Sequence, residues 1–419
     1  MKKLVSLLLC LLLTLSCVTA MAQEPLRISW WGSGAVNAFQ LELCDMYKAK
    51  FGIEYEAEYV SWADYWTKMN TLAASSDLPD VMRQDYGRIA PYAEKGLLMD
   101  MTPLVEAGKI DLSNVPANAI SNGYFDGKLL AINVGSNALG LIFNKKLIED
   151  AGMEPIPTDA TWADFIQYCL DYHEKSGGIA LTLATNVSTT TVLNVLVRGQ
   201  GQQLYNDEQT AFGFDRQLLV DYFASLKTLH DAGAMDPAAT LTVTISNEDS
   251  SFAKAESAMM FDWTDPYATY DNLLKETYGG LGLTIVPGAS NGGMYIKPSA
   301  LFSIPVTSEN VDAAATFINY WINDEEANLF LSGRRGIPIS SVCSELVAQS
   351  VNDTAQRVFE YINKTIQPHC SDIFKPFPAA SSEIDSEMQK QVQLLLFGET
   401  DAETAATTLF ETAEKLLNE

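Results

Sequence analysis

Leu26-Arg27-Ile28-Ser29-Trp30 alternates apolar and polar side chains and runs into Trp31-Gly32-Ser33-Gly34. After it, Phe39, Leu43, Met46 and Tyr47 recur at helical spacing, and Ile53-Glu54-Tyr55-Glu56-Ala57-Glu58-Tyr59-Val60 alternates again. A period of two, then about 3.6, then two reads as strand, helix, strand, the opening of a βαβ unit. The rhythm continues with a helix expected over about 63–74, a short buried strand at Pro79-Asp80-Val81-Met82, and the polar loop Gln84-Asp85-Tyr86-Gly87-Arg88. Further strands are expected at 129–134, 139–143, 257–261, 285–287 and 300–305, with helices between and after them. Thr161-Trp162-Ala163-Asp164 has the form of a capping box. Alternating elements of this size predict an α/β protein with mostly parallel sheets.

The chain has 419 residues, with 27 Lys+Arg against 53 Asp+Glu, a formal charge of -26, and three histidines. That length suits two or three domains of roughly 150 residues. The acidic excess repels polyanions and no basic cluster interrupts it, so nucleic acid is not an expected partner. Residues 1–22 read as a signal peptide: Lys2 and Lys3, an apolar run from Leu4 to Leu13, and Ala20-Met21-Ala22 before Gln23. The run is shorter than the about 20 residues that span a bilayer. Thr14-Leu15-Ser16-Cys17 offers a rival lipoprotein-type site at Cys17. Four cysteines remain, Cys44, Cys169, Cys343 and Cys370, with no C-x-x-C pair. Cys169 falls between Phe165 and Tyr172 on a helical face, and a Cys343–Cys370 bridge stays open.

Catalytic signals are sparse. No G-x-S-x-G nucleophile elbow, Walker loop or G-x-G-x-x-G is read, and His173, His230 and His369 have no partner at metal-ligand spacing. No catalytic residue, metal or cofactor is assigned. A glycosidase-type carboxylate pair cannot be singled out among 53 acids. Aromatic residues instead gather where strands end: Trp31, Tyr86, Trp263 and Tyr267. In open α/β sheets ligands bind beyond the carboxyl ends of strands, where rigid aromatic faces can stack on a sugar ring.

Nine blocks in order resemble the extracellular solute-binding proteins of bacterial carbohydrate ABC importers, of the maltose-binding type. They are Ile28–Gly32, Leu78–Val81, Lys95–Leu104, Asp126–Ile132, Leu141–Leu147, Thr161–Phe165, Lys254–Met260, Ala313–Trp321 and Arg335–Ser340. The resemblance implies a two-lobe fold, type II, whose cleft closes on a solute by hinge motion. It divides the chain into 23–135 with 262–305 and 136–261 with 306–419, crossing near Gly135, Asp262 and Val306. It implies a sugar or oligosaccharide ligand, an ABC permease as partner, a monomer, a periplasmic or tethered location, and no enzymatic activity. Ligand contacts carried over by position are Trp31, Gly32 and Ser33; Gln84, Asp85 and Arg88; Asn137; and Trp263 and Tyr267. The opposite wall falls near Thr189, Thr190 and Pro378, while Lys297 and Arg335 would suit a charged sugar such as a uronide. A non-sugar solute such as a polyamine and a secreted glycoside hydrolase are the alternative readings.

Overall fold

A computed structural model describes residues 24–32, 34–183, 187–242 and 247–419. The expected signal peptide at 1–22, with Cys17, and Ser33 lie outside the described residues. The first sheet is built on β1 (Leu26–Trp31), which is followed by helix α1 (Gly34–Phe51) and β2 (Tyr55–Val60). Helix α2 (Trp62–Ala74) then leads to β3 (Val81–Gln84). Both β2 and β3 pair with β1 in parallel, as strands joined through a crossover helix do. Ser61 caps α2 by accepting from the Asp64 amide.

The chain then contributes β4 (Ile132–Asn133), β5 (Ser136–Asn137) and β6 (Leu139–Asn144). Helix α3 (Trp162–Ser176) opens on the expected capping box, with Thr161 and Asp164 bonded reciprocally. Next come β7 (Ile179–Thr182), helix α4 (Thr189–Gly199) and β8 (Ser257–Trp263). Helix α5 (Tyr267–Tyr278), β9 (Leu281–Thr284), β10 (Lys297–Pro298), β11 (Leu301–Ser303) and helix α6 (Val311–Asn323) follow.

Two sheets carry two cores: β2-β1-β3-β11-β4 in one and β9-β6-β8-β7 in the other. The sheets are mixed, not mostly parallel. Strand β11 runs against β3 and β4, and β6 runs against both β8 and β9. The strand expected at Ile285-Val286-Pro287 lies earlier, at Leu281–Thr284, because that stretch finds the β6 partner and Pro287 has no N–H to give a ladder.

The division between lobes also differs from the expectation. Strand β8 pairs with β6 through to Trp263 opposite Leu139, so a crossing at Asp262 would cut a continuous ladder. Tyr267, Tyr270 and Leu274 of α5 pack on Ile142 and Met260, which keeps α5 with the second sheet. Conversely, Phe317 and Trp321 of α6 pack with Trp30, Tyr47 and Phe302 in the first core, and that core continues to Ile339. Val306 is therefore inside a lobe and not between lobes.

Three segments, 135–138, 297–300 and 335–337, meet between the two sheets. The Ser299 amide donates to Gly135 O at 2.7 Å, and Ser136 and Ile337 exchange backbone bonds at 2.7 and 2.9 Å. The Ser299 hydroxyl donates to Arg335 O at 2.6 Å. Glycine is needed at both points of closest approach. A Cβ at Gly135 would stand 2.5 Å from Arg335 O, and Gly336, at φ +94°, has Ser299 Cβ 2.7 Å from where its own would be. Cys44, Cys169, Cys343 and Cys370 are free, so Cys343 and Cys370 are not bridged, and Cys169 is buried as its helical spacing predicts.

Candidate functional site

The carboxyl ends of β1, β3 and β8 and the crossing strand β10 bring aromatic and charged side chains to one cleft between the lobes. On the first lobe, Trp31 meets Trp62 edge-on at 4.9 Å, Tyr65 at 5.3 Å and Trp66 at 5.7 Å. The Arg83 guanidinium lies 4.6 Å from the Trp31 ring centre. Arg88 stands 5.9 and 6.0 Å from Trp62 and Trp66. Distances of this order give cation–π attraction, strongest where water is excluded.

The facing wall comes from β8, β10 and the segment before the Ser381–Leu396 helix. Lys297 Nζ sits 4.3 Å from the Trp263 ring centre and 3.4 Å from Asp85 Oδ2. Trp263 meets Tyr295 at 6.4 Å, and Tyr295 meets Phe374 at 5.1 Å. Phe374 stacks flat on Phe377 at 4.4 Å. Arg198 of α4 covers both Tyr295 and Phe374, at 5.1 and 5.7 Å. The circuit closes through Tyr86, whose hydroxyl donates to Phe374 O at 2.8 Å. Beside it, a groove of about 680 Å³ runs between Trp66, Arg88 and Tyr92 on one side and Pro378, Ser382 and Glu383 on the other.

Electrostatics follow from burial. Arg83 is pushed down to about 10 by desolvation, partly offset by Tyr65, Asp265 and Asp85. Arg198 is likewise lowered by burial. Asp262, under the Trp263 strand end, is pushed up to about 7 by burial, against the hydrogen bond from Tyr270.

Of the positions carried over from the sequence, Trp31, Gly32, Asp85, Arg88, Trp263 and Lys297 are partly exposed. Tyr267 is not: it is fully buried and donates to Leu281 O at 2.9 Å inside the second core. Pro266 begins a helix there, and the helical turn directs Tyr267 onto β6 and away from the cleft. Asn137 is buried and engaged as a lock between crossings. Its amide donates to Asp265 at 2.8 Å, and its carbonyl accepts from the Thr264 and Ala138 amides and the Thr264 hydroxyl. Gln84 is fully buried in β3. Arg335 lies at the crossing, 9% exposed.

Sequence reasoning missed Arg83, Arg198, Tyr295 and Phe374. A signal existed for the arginines: each is a lone cation in a stretch that is otherwise buried, Val81–Gln84 and Val192–Val197. It also passed over Gly288-Ala289-Ser290-Asn291-Gly292, which has G-x-S-x-G spacing. That segment forms a turn after β9 and not a strand-to-helix elbow, and His369 Nδ1 lies 2.7 Å from the Ser290 backbone oxygen. His173 Nδ1 similarly lies 2.8 Å from Gly178 O, at the end of α3. Among the described residues no group of three or more His, Cys, Asp or Glu is disposed to hold a metal ion.

A family model described as bacterial extracellular solute-binding protein matches residues 42–357. The chain belongs to that family. Among solved structures, an extracellular solute-binding protein family 1 member from Alicyclobacillus acidocaldarius is 25% identical, with TM-score 0.71 over 95% of this chain and 100% of that one. A periplasmic solute-binding protein from Pectobacterium atrosepticum reaches TM-score 0.81 at 22% identity, over 94% of this chain and 98% of its own. A periplasmic oligogalacturonide-binding protein of Yersinia enterocolitica, in complex with saturated digalacturonic acid, reaches 0.80 at 20% identity over the same shares. The fold of this solute-binding protein is thus the two-lobe α/β fold of its family. Among the described residues no helix is long and apolar enough to cross a membrane.

Proposed function

We propose that this solute-binding protein captures a sugar or oligosaccharide in the cleft between its lobes and delivers it to an ABC permease. The observation that carries this reading is the ring circuit Trp263–Tyr295–Phe374, faced by Trp31 and Trp62 and interleaved with polar groups. A sugar presents an apolar face to aromatic rings and hydroxyls at its edge, and this wall supplies both contacts. Trp31, Asp85, Arg88, Trp263 and Lys297 are the proposed contacts, with Gly32 and Ser33 in the loop after β1.

The three crossings act as a hinge. Only groups that meet the solute better in the closed state, such as Asp85 on one lobe and Trp263 on the other, shift the balance toward closure. The solute leaves unchanged, and the lobes act as a monomer. The leader at 1–22 directs export, and Cys17 is the point at which a lipid would tether the chain. Buried cations at Arg83 and Arg198 argue against a polyamine as the solute.

The test is thermal unfolding of the purified mature protein with a saccharide panel, with chromatography of the saccharide afterwards. A rise in melting temperature with one glycan class and intact glycan is the expected result. Hydrolysis of the glycan would replace a carrier with a secreted hydrolase.

A further inference from the structure

Of the chain's eight arginines, six divide by burial and pairing, while Arg88 and Arg334 are more exposed and stand over aromatic rings. Arg27, Arg216 and Arg357, on the outer faces of the lobes, each hold a carboxylate within 2.6 to 2.8 Å. Arg83, Arg198 and Arg335 are 2%, 9% and 9% exposed, and among the described residues none has a carboxylate within ion-pair distance. Among the described residues the Arg83 guanidinium has one hydrogen bond, to Gln40 Oε1 at 3.4 Å. Arg198 donates to two neutral oxygens, Ser371 Oγ at 2.5 Å and Asp372 O at 2.6 Å. The Nε atoms of all three, and Nη2 of Arg335, are buried without a partner.

Acids outnumber bases about two to one in this chain, so leaving three buried guanidinium groups unpaired runs against composition. Burying a charge without a counter-charge is costly, and a site that keeps such charges recovers the cost when an anion arrives. Guanidinium matches carboxylate in a bidentate fork. The same groups stack on Trp31, Tyr295 and Phe374, the rings assigned to the sugar. We propose that the solute is an acidic glycan, a uronate-bearing saccharide whose carboxylates pair with the buried guanidinium groups of Arg83 and Arg198, with Arg335 supporting them from the crossing. This rests on the sugar-binding reading above and names its charge. Lys297 is already engaged by Asp85, so it serves the wall and leaves the arginines to the anion.

The test is titration calorimetry of the full mature chain with glucuronate-, galacturonate- and mannuronate-containing disaccharides and their carboxyl-reduced neutral forms, with sulfated disaccharides as a third arm. One uronate is expected to bind, with its neutral form weaker by roughly 30-fold or more. Arg198→Gln should lose a similar factor, while Arg216→Gln, whose ion pair lies on an outer face, should bind as the parent does. Because Arg83 is deeply buried, Arg83→Met is read twice. Its apo melting temperature should rise as an unpaired buried charge is removed, and its uronate affinity should collapse. Equal affinity for acid and neutral forms, or tighter binding of the sulfated disaccharides, would overturn the uronate assignment while leaving a sugar carrier in place. Binding of no saccharide, charged or neutral, would overturn the sugar-binding reading itself.

Discussion

Tyr86 donates its hydroxyl hydrogen to the Phe374 carbonyl oxygen at 2.8 Å, joining the strand-end loop of one lobe to the segment that walls the other. Tyr86→Phe removes this bond and leaves the ring. A net hydrogen bond is worth about 1 kcal/mol, so the open form gains by that amount. Solute affinity should fall about 5-fold. Small-angle scattering of the apo variant should report a larger radius than the parent; an unchanged radius and affinity would separate this bond from closure.

Trp263 and Tyr267 are four residues apart and should part company under substitution. Trp263→Ala removes a partly exposed ring that holds Lys297, so it should weaken sugar binding with a small change in melting temperature. Tyr267→Ala opens a cavity in a packed core and should cost about 3–5 kcal/mol of stability, with affinity of the remaining folded protein near that of the parent. Chemical unfolding and calorimetry on both variants check the pair, and a Tyr267→Ala protein that is stable yet binds nothing would return Tyr267 to the cleft.

Asp262 gives a pH signature. Its folded value of about 7 lies above the roughly 3.9 of an unfolded Asp, so the native state holds the proton more tightly. The stabilisation is complete below about pH 4 and is lost as pH rises through 7. Asp236, raised by burial, contributes in the same sense. Apo melting temperature should therefore decline between pH 5 and 7.5, a window above the lowered carboxyls of Asp100, Asp111 and Asp401, whose contribution disappears only on acidification. Asp262→Asn should flatten that decline; the same slope in parent and variant would show that other groups set it.

Gly135→Ala tests the crossing. The new methyl would lie 2.5 Å from Arg335 O and 2.8 Å from Ser299 Oγ; the hydroxyl can rotate away, but the first contact needs a shift of the 335–336 backbone. Melting temperature should fall, and solute binding should weaken because closure pivots at this point. Gly127→Ala, at a φ of +77° with open space around it, costs stability through backbone strain alone and should leave affinity intact.

The sequence announces the first sheet well, because β1, β2 and the helix between them are local and obey single periodicities. Thr161 and Asp164 form their capping box for the same reason. The lobe boundaries are less legible. Whether the run Ala313–Trp321 covers Phe302 or the second sheet is a long-range choice, and no local signal records it. Tyr267 illustrates the same limit at the site. It and Trp263 both follow an apolar strand, yet one helical turn buries Tyr267 and leaves Trp263 in the cleft. The last helix opens at Asp401, which accepts from the Thr404 amide; Thr400, followed three residues later by Glu403, reads equally well as a cap, and only the backbone geometry selects one. Arg83 and Arg198 were hidden because a cation in an apolar stretch reads as a flaw in the pattern until its surroundings are seen.

The three-fold crossing also sets the order in which the molecule can be completed. The first core takes Trp321 and Ile339 from late in the chain, and the second takes Leu409 and Ala413 from the final helix, which packs against the helix at Arg216–Asp231. A nascent chain that has not yet reached Ile339 therefore lacks part of both hydrophobic centres. On this topology neither core is complete until Ile339 and the final helix are present, so truncation of the last helix would open the second core even though it is remote from the cleft.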